Sequence, residues 1–211
     1  MSRHDDLIQS LSSGLKPVKP VPSPDRLALV WLLLSAVYVV LITWYFGPLR
    51  EGALQQLFSV PRFFIETASG LLGIGLVGVC AFRAAVPGRL SKSFATASFV
   101  VLGIWLSQYF VGLAEPALAP SMLGERAACW AQTAAFAIPP MAIAFVLTRR
   151  LYPLNPWRTT LCFCLAAGML PALYMQLACV YVVPHILEFH ILPGLLIALA
   201  GSTLAVFYRA R

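Results

Sequence analysis

The chain has 211 residues, of which 60% are hydrophobic and 11% are charged, and its formal net charge at pH 7 is +7. This composition is unlike that of a soluble domain and indicates an integral membrane protein. The basic residues lie in small groups beside hydrophobic segments, so they indicate contact with anionic lipid headgroups rather than a face for binding nucleic acid.

The first 26 residues contain a short amphipathic segment followed by a Pro-rich linker. Four apolar side chains share one face of a helical wheel, opposite Gln9 and Ser13. These four are Leu7, Ile8, Leu11 and Leu15. A free helix of about ten residues is marginal in water, so this face is expected to fold against a covering surface. Its polar face lacks the Lys and Arg typical of helices that lie on membranes, which favours a protein partner over a lipid-associated or disordered tail.

Six hydrophobic segments follow the tail, and each is long enough to cross a hydrocarbon core of about 30 Å. They cover residues 27–46, 63–82, 94–113, 127–147, 159–178 and 189–208. We therefore predict an all-α membrane protein with two parts. Residues 1–26 form a cytoplasmic tail with a short amphipathic helix, and residues 27–211 form a domain of six transmembrane helices.

The charged residues predict the orientation of these spans. Twelve of the fifteen Lys and Arg residues fall on the side that holds both termini, and all five Glu residues fall on the other side. Because cytoplasmic loops are enriched in Lys and Arg, both termini are predicted to be cytoplasmic.

Two of the five cysteines, Cys129 and Cys179, lie at the predicted outer ends of consecutive antiparallel spans. Such spans tend to pack as neighbours, so the two thiols could meet at the outer rim, where a disulfide can persist. With His185 and His190 nearby they would form a sulfur and nitrogen site for a thiophilic metal, or a dithiol able to oxidise. The alternative is that both cysteines are buried packing residues.

The histidines alone are a weak metal motif. His185 and His190 are five residues apart, whereas two ligands stacked on one face of an α-helix are four apart. Solvated histidines at the membrane interface are the alternative interpretation.

An enzyme is not expected, because the chain has no GxSxG, HExxH or CxxC motif and no charged residue at mid-membrane depth. Residues 73–78 match GxGxxG, but they lie inside a hydrophobic span, where glycines favour close helix packing. A small transporter or a passive pore is the second hypothesis, since Gly-rich helices kinked by proline are common in such folds.

The tail and first span, DDLIQSLSSGLKPVKPVPSPDRLALVWLLL, resemble the opening of the NrsF-type anti-sigma factors. Members of this family have a short Leu-rich helix, a Pro-Val-Pro linker and six spans. Cys129 in RAACWAQTAAFAIPP and Cys179 in MQLACVYVV are similar to the paired outer cysteines of the family. The chain departs from the family pattern beside the second cysteine, where Ala178 replaces a histidine.

This resemblance implies a protein of the bacterial inner membrane that sequesters an extracytoplasmic-function sigma factor and releases it on stress. It implies that the apolar tail residues Leu7, Ile8, Leu11 and Leu15 bind the sigma factor. It also implies that Cys129 and Cys179 sense the signal. No resident cofactor is expected, and the signal would be a thiophilic metal or an oxidant.

Overall fold

The computed structural model describes residues 3–13 and 21–208. The helices before the last span are α1 (Arg3–Ser13), α2 (Pro24–Tyr45), α3 (Ala53–Ser59), α4 (Pro61–Ala84), α5 (Lys92–Gly112), α6 (Cys129–Arg149) and α7 (Pro156–Ala178). The last span is composite. It combines α8 (Val183–Ile186), a π-helical turn (Leu187–Ile191), α9 (Leu192–Ser202) and a 3-10 turn (Thr203–Tyr208).

Within the described ranges, six helices are long and apolar enough to cross a membrane. They are α2, α4, α5, α6, α7 and the 26-residue stretch Val183–Tyr208. Their outward surfaces carry exposed apolar side chains such as Leu33, Leu72 and Ile104. Contiguous apolar surface of this kind suits contact with lipid. The all-α fold with six spans and a short N-terminal helix is confirmed, and it fits a multi-pass membrane protein.

Several helices begin a few residues before the hydrophobic segments of the sequence do, because local capping decides where a helix starts. The Ser91 hydroxyl accepts from the backbone N–H of Phe94 at 3.2 Å, and the Asn155 side chain accepts from that of Arg158 at 3.1 Å. A proline occupies the first turn of α2, α4 and α7. The hydrophobic segments therefore predict which residues span, whereas the caps determine the first residue of each helix.

Helix α7 lies at the centre of the bundle. In the most apolar 18-residue stretch of α7, 83% of the residues are buried, whereas the corresponding share in the other spans is 28% to 44%. Helices α2, α4, α6 and α9 pack against α7, and α5 packs against α4. Gly168 of α7 and Gly194 of α9 allow their backbones to touch, since a Cβ on Gly194 would lie 2.6 Å from the Gly168 carbonyl oxygen. The middle of α7 is thereby held against α9.

Helix α2, which follows the tail, has two polar contacts with other spans. In its first turn Asp25 accepts from Arg83 Nε of α4 at 2.6 Å. Further along, Trp31 Nε1 donates to the Pro140 carbonyl of α6 at 2.8 Å. These bonds tie the helix to two different neighbours.

The glycines of α4 lie at helix contacts, as the sequence analysis predicted. A Cβ on Gly73 would lie 2.9 Å from the Leu102 Cα of α5, and one on Gly78 would lie 2.7 Å from the Trp31 ring of α2. Backbone contacts this close require glycine, because any side chain would separate the helices.

Replacing Gly73 by alanine should therefore destabilise the bundle by about 1–3 kcal/mol, the usual cost of overpacking a close contact. Gly103→Ala in α5 is the matched control, because a Cβ there meets nothing within 4 Å. Thermal unfolding of both variants in one detergent would measure the effect. Equal melting temperatures for the two variants would contradict the assigned contact.

Candidate functional site

Cys129 and Cys179 lie at helix ends that the fold brings together. Cys129 is the first residue of α6, and Cys179 directly follows the last residue of α7. Both side chains are buried, and their Sγ atoms are 2.7 Å apart. The structure thus joins the two residues that the sequence placed at the same membrane depth.

Backbone contacts from other segments hold the chain extended after α7. Ser121 and Tyr181 form an antiparallel bridge in which each N–H donates to the other's carbonyl oxygen at 3.1 Å. The Arg50 N–H donates to the Leu177 carbonyl at 3.1 Å, and Arg126 Nε donates to the Ala178 carbonyl at 3.1 Å. These bonds satisfy carbonyls that the end of an α-helix leaves without partners.

The π-helical turn brings His185 and His190 together. In an α-helix, five residues would place two side chains about 140° apart around the axis. A π-helical turn holds an additional residue per turn, which returns the second histidine towards the first. The two ring centroids are 5.0 Å apart. The five-residue spacing therefore suits this π-helical segment, whereas the sequence analysis assumed a regular α-helix.

Thr133 sets the hydrogen-bonding state of His190. The Thr133 hydroxyl donates to the Cys129 carbonyl at 2.8 Å, and it lies 3.2 Å from His190 Nδ1. Because a hydroxyl has one hydrogen to donate, it accepts from Nδ1. Nε2 of the neutral ring then carries a free lone pair, and it is buried without a hydrogen-bond partner. A histidine oriented by an outer partner in this way is typical of metal sites.

The ligand atoms of Cys129, Cys179, His185 and His190 all lie within 4.8 Å of one another. His185 Nε2 lies 3.5 Å from Cys179 Sγ, and its ring stacks on Phe189. Two sulfurs and two imidazole nitrogens are a donor set for Zn²⁺ and softer ions of the same geometry. Sulfurs bound to tetrahedral Zn²⁺ lie about 3.8 Å apart, so the pair would have to separate slightly to hold such an ion.

The two thiols are in hydrogen-bond contact, and either sulfur can be the donor. This contact lowers the pKa of the Cys179 thiol below its ordinary value. Burial acts in the opposite direction. A thiolate, rather than a thiol, is the form that binds metal or attacks a disulfide.

An open cavity of about 540 Å³ gives access to this cluster. Its lining includes Cys129 and His185, together with Glu125, Trp130 and Phe189. A small ion can therefore reach the cluster from one side, although the sulfurs themselves are buried.

The other three cysteines, Cys80, Cys162 and Cys164, are buried in the main apolar core. Burial in an apolar core is typical of cysteines that serve in packing. Two polar residues of the outer region, Arg126 and Thr133, escaped the sequence analysis. Their positions three residues before and four residues after Cys129 were the only signal available.

The predicted partner-binding residues lie on α1. Leu7, Ile8 and Leu11 are 56%, 64% and 65% exposed, so the described apolar stripe is available to a partner. Leu15, the fourth predicted residue, lies outside the described residues.

Comparison with known proteins adds one match. The model of the NrsF family, described as negative regulator of sigma F, matches residues 11–208, which is nearly the whole chain. No curated protein and no solved structure matches. The matched range includes all six spans and the Cys/His cluster. The chain therefore belongs to the NrsF family of negative regulators of a sigma factor.

Proposed function

We propose that this protein is an anti-sigma factor of a bacterial cytoplasmic membrane. Its tail sequesters an extracytoplasmic-function sigma factor, and a stress signal at the outer cysteines releases it. The observation that carries this proposal is the family match over residues 11–208. The excess of Lys and Arg on the side of both termini supports a cytoplasmic tail.

The exposed stripe of α1 supports the tail as the binding element. An amphipathic helix that exposes Leu7, Ile8 and Leu11 can dock in an apolar groove of a partner. Asp5 and Asp6 lie in its first turn, where negative charge stabilises a helix. Binding would then order the tail and remove the sigma factor from RNA polymerase.

Replacing both Leu7 and Leu11 by aspartate should abolish sequestration, because it puts two charges into the buried side of the proposed interface. Sigma-dependent transcription should become constitutive, and no sigma factor should copurify with the variant. Mass spectrometry of the purified protein and a transcriptional reporter would measure the two effects.

Gln9→Asp with Ser13→Asp is the matched control, since it adds the same charge to the opposite face of α1. This control should retain the sigma factor. Normal sequestration by the Leu7 and Leu11 double variant would reject the tail as the binding element.

If neither the wild type nor any variant copurified a transcription protein, solute flux in liposomes would test the alternative of a transporter or pore.

The Cys/His cluster supports a thiophilic divalent cation as the signal. Binding would replace the thiol protons of Cys129 and Cys179 with two metal–sulfur bonds and release those protons to solvent. His190 Nε2 and His185 Nε2 would complete four ligands. No catalytic step is required, which agrees with a regulator rather than an enzyme.

Cd²⁺ is a suitable probe, because its bonds to thiolates give a charge-transfer absorption in the ultraviolet. Cys129→Ser and Cys179→Ser should each remove this absorption, and Cys164→Ser, a buried cysteine outside the cluster, should retain it. Thr133→Val should weaken Cd²⁺ binding by about 10- to 100-fold, the usual effect of removing an outer partner of a metal ligand. Unchanged binding in both Cys129→Ser and Cys179→Ser would reject the site.

The affinity for Cd²⁺ should fall as the pH falls, because protons compete with the metal for the thiols. The pKa of the Cys179 thiol is lowered, so protons compete less at this ligand than at an ordinary thiol. We therefore expect a change smaller than about 100-fold per pH unit near pH 7, the value for two protonated thiols. Titrations at several pH values would measure the slope. A change of about 100-fold per unit would contradict the lowered pKa of Cys179.

A further inference from the structure

Arg126 connects the cysteine pair to the outer end of α2. Its Nη1 donates to the Thr43 carbonyl at 3.3 Å, and its Nη2 donates to the carbonyls of Gly47 at 2.8 Å and Pro48 at 2.9 Å. Its Nε donates to the Ala178 carbonyl at 3.1 Å. Four of the five N–H donors of a guanidinium group are thus bonded to backbone on two separate elements.

Arg126 is linked to the cysteine pair through both its backbone and its side chain. The Cys129 thiol lies 3.4 Å from the carbonyl oxygen of Arg126 itself. Ala178, which accepts from the Arg126 side chain, directly precedes Cys179. A change in the separation of the two sulfurs therefore displaces the backbone of Arg126 relative to one of its side-chain acceptors.

The contact with the outer end of α2 is close. A Cβ on Gly47 would lie 3.3 Å from Arg126 Nη2 and 3.4 Å from Cζ, so glycine allows the guanidinium plane to approach the backbone. Thr43 is fully buried at this point. Because a guanidinium fork is planar and rigid, it holds its acceptors in one relative arrangement.

A displacement of this end can reach the tail. Helix α2 runs without interruption from Tyr45 to Pro24, and Pro24 directly follows the N-terminal segment. The bonds from Trp31 to Pro140 and from Asp25 to Arg83 lie further along the same helix. A helix tied at one end and along its length shifts or tilts as a unit rather than bending locally.

We propose that Arg126 is the positioning residue that couples the state of the Cys129 and Cys179 pair to the position of α2 and thereby to the tail. This proposal rests on the proposed function, in which the same cysteines receive the signal. Metal binding requires the sulfurs to move apart, which changes the bonds that Arg126 makes. The change reaches α2 because the same side chain holds the carbonyls of Thr43, Gly47 and Pro48.

The test uses the full-length protein in lipid nanodiscs with Cd²⁺ as the probe. Hydrogen–deuterium exchange of peptides covering residues 40–48 should change when Cd²⁺ binds to the wild type. In Arg126→Gln this change should be absent at Cd²⁺ concentrations that saturate the site, with saturation confirmed by the thiolate absorption. Arg126→Lys keeps the charge but lacks the planar guanidinium group, so its exchange response should be reduced.

Arg62→Gln is the matched control. Arg62 also lies on the outer side and donates to a backbone carbonyl, that of Glu115, which is not part of α2. This variant should respond to Cd²⁺ as the wild type does. A full exchange response in both Arg126→Gln and Arg126→Lys would overturn the proposal.

A second readout separates coupling from simple loss of packing. Coupling between two binding sites is reciprocal, and its usual size is about 5- to 150-fold. In the wild type the copurifying sigma factor should weaken Cd²⁺ binding by a factor in this range, and in Arg126→Gln it should have no effect. If the wild type binds no Cd²⁺, the proposed signal is wrong and the role of Arg126 falls with it. If Cd²⁺ binds and α2 does not respond in the wild type, only the role of Arg126 is rejected.

Discussion

Helix α7 can end at Ala178 because other segments donate hydrogen bonds to the backbone carbonyls there. The Cys/His cluster depends on this helix end. Carbonyl groups at the end of a helix lack partners, and leaving them unsatisfied at membrane depth costs several kcal/mol each. Here the carbonyls of Leu177, Ala178 and Tyr181 accept from Arg50, Arg126 and Ser121, respectively. The chain can therefore leave the helix at Cys179 and turn back towards Cys129.

A second irregularity completes the cluster. The π-helical turn Leu187–Ile191 departs from regular α-helical geometry in the span that carries both His185 and His190. Such turns are frequent at functional sites, because the additional residue redirects side chains without ending the helix. Thr133 joins this turn to α6 by bonding both the Cys129 carbonyl and His190. The cluster is thus assembled from three spans, each held by a different type of contact.

Close packing makes the rest of the bundle resistant to local deformation. The glycines of α4 and the contact of Gly168 with Gly194 bring helices to backbone distance, where a small displacement at one end cannot be absorbed by flexible side chains. Tightly packed elements respond by discrete shifts rather than by gradual deformation. A signal at the outer rim can affect the tail only if it favours one arrangement over another. The bonds of Arg126 to the Thr43 carbonyl of α2 and to the Ala178 carbonyl are the contact that we propose for this coupling.

The hydrophobic segments and charges of the sequence determined the six spans, the α1 stripe and the common depth of Cys129 and Cys179. They could do so because each residue of a helix adds a known rise, so position along the chain gives depth in a membrane. The tertiary structure alone decided which helices are neighbours, how each is rotated, and which carbonyls Arg126 binds. It also decided the π-helical turn, which makes the five-residue spacing of His185 and His190 suitable for one site. A one-dimensional pattern carries depth, whereas lateral contact and departures from regular helix geometry arise only when the spans pack together.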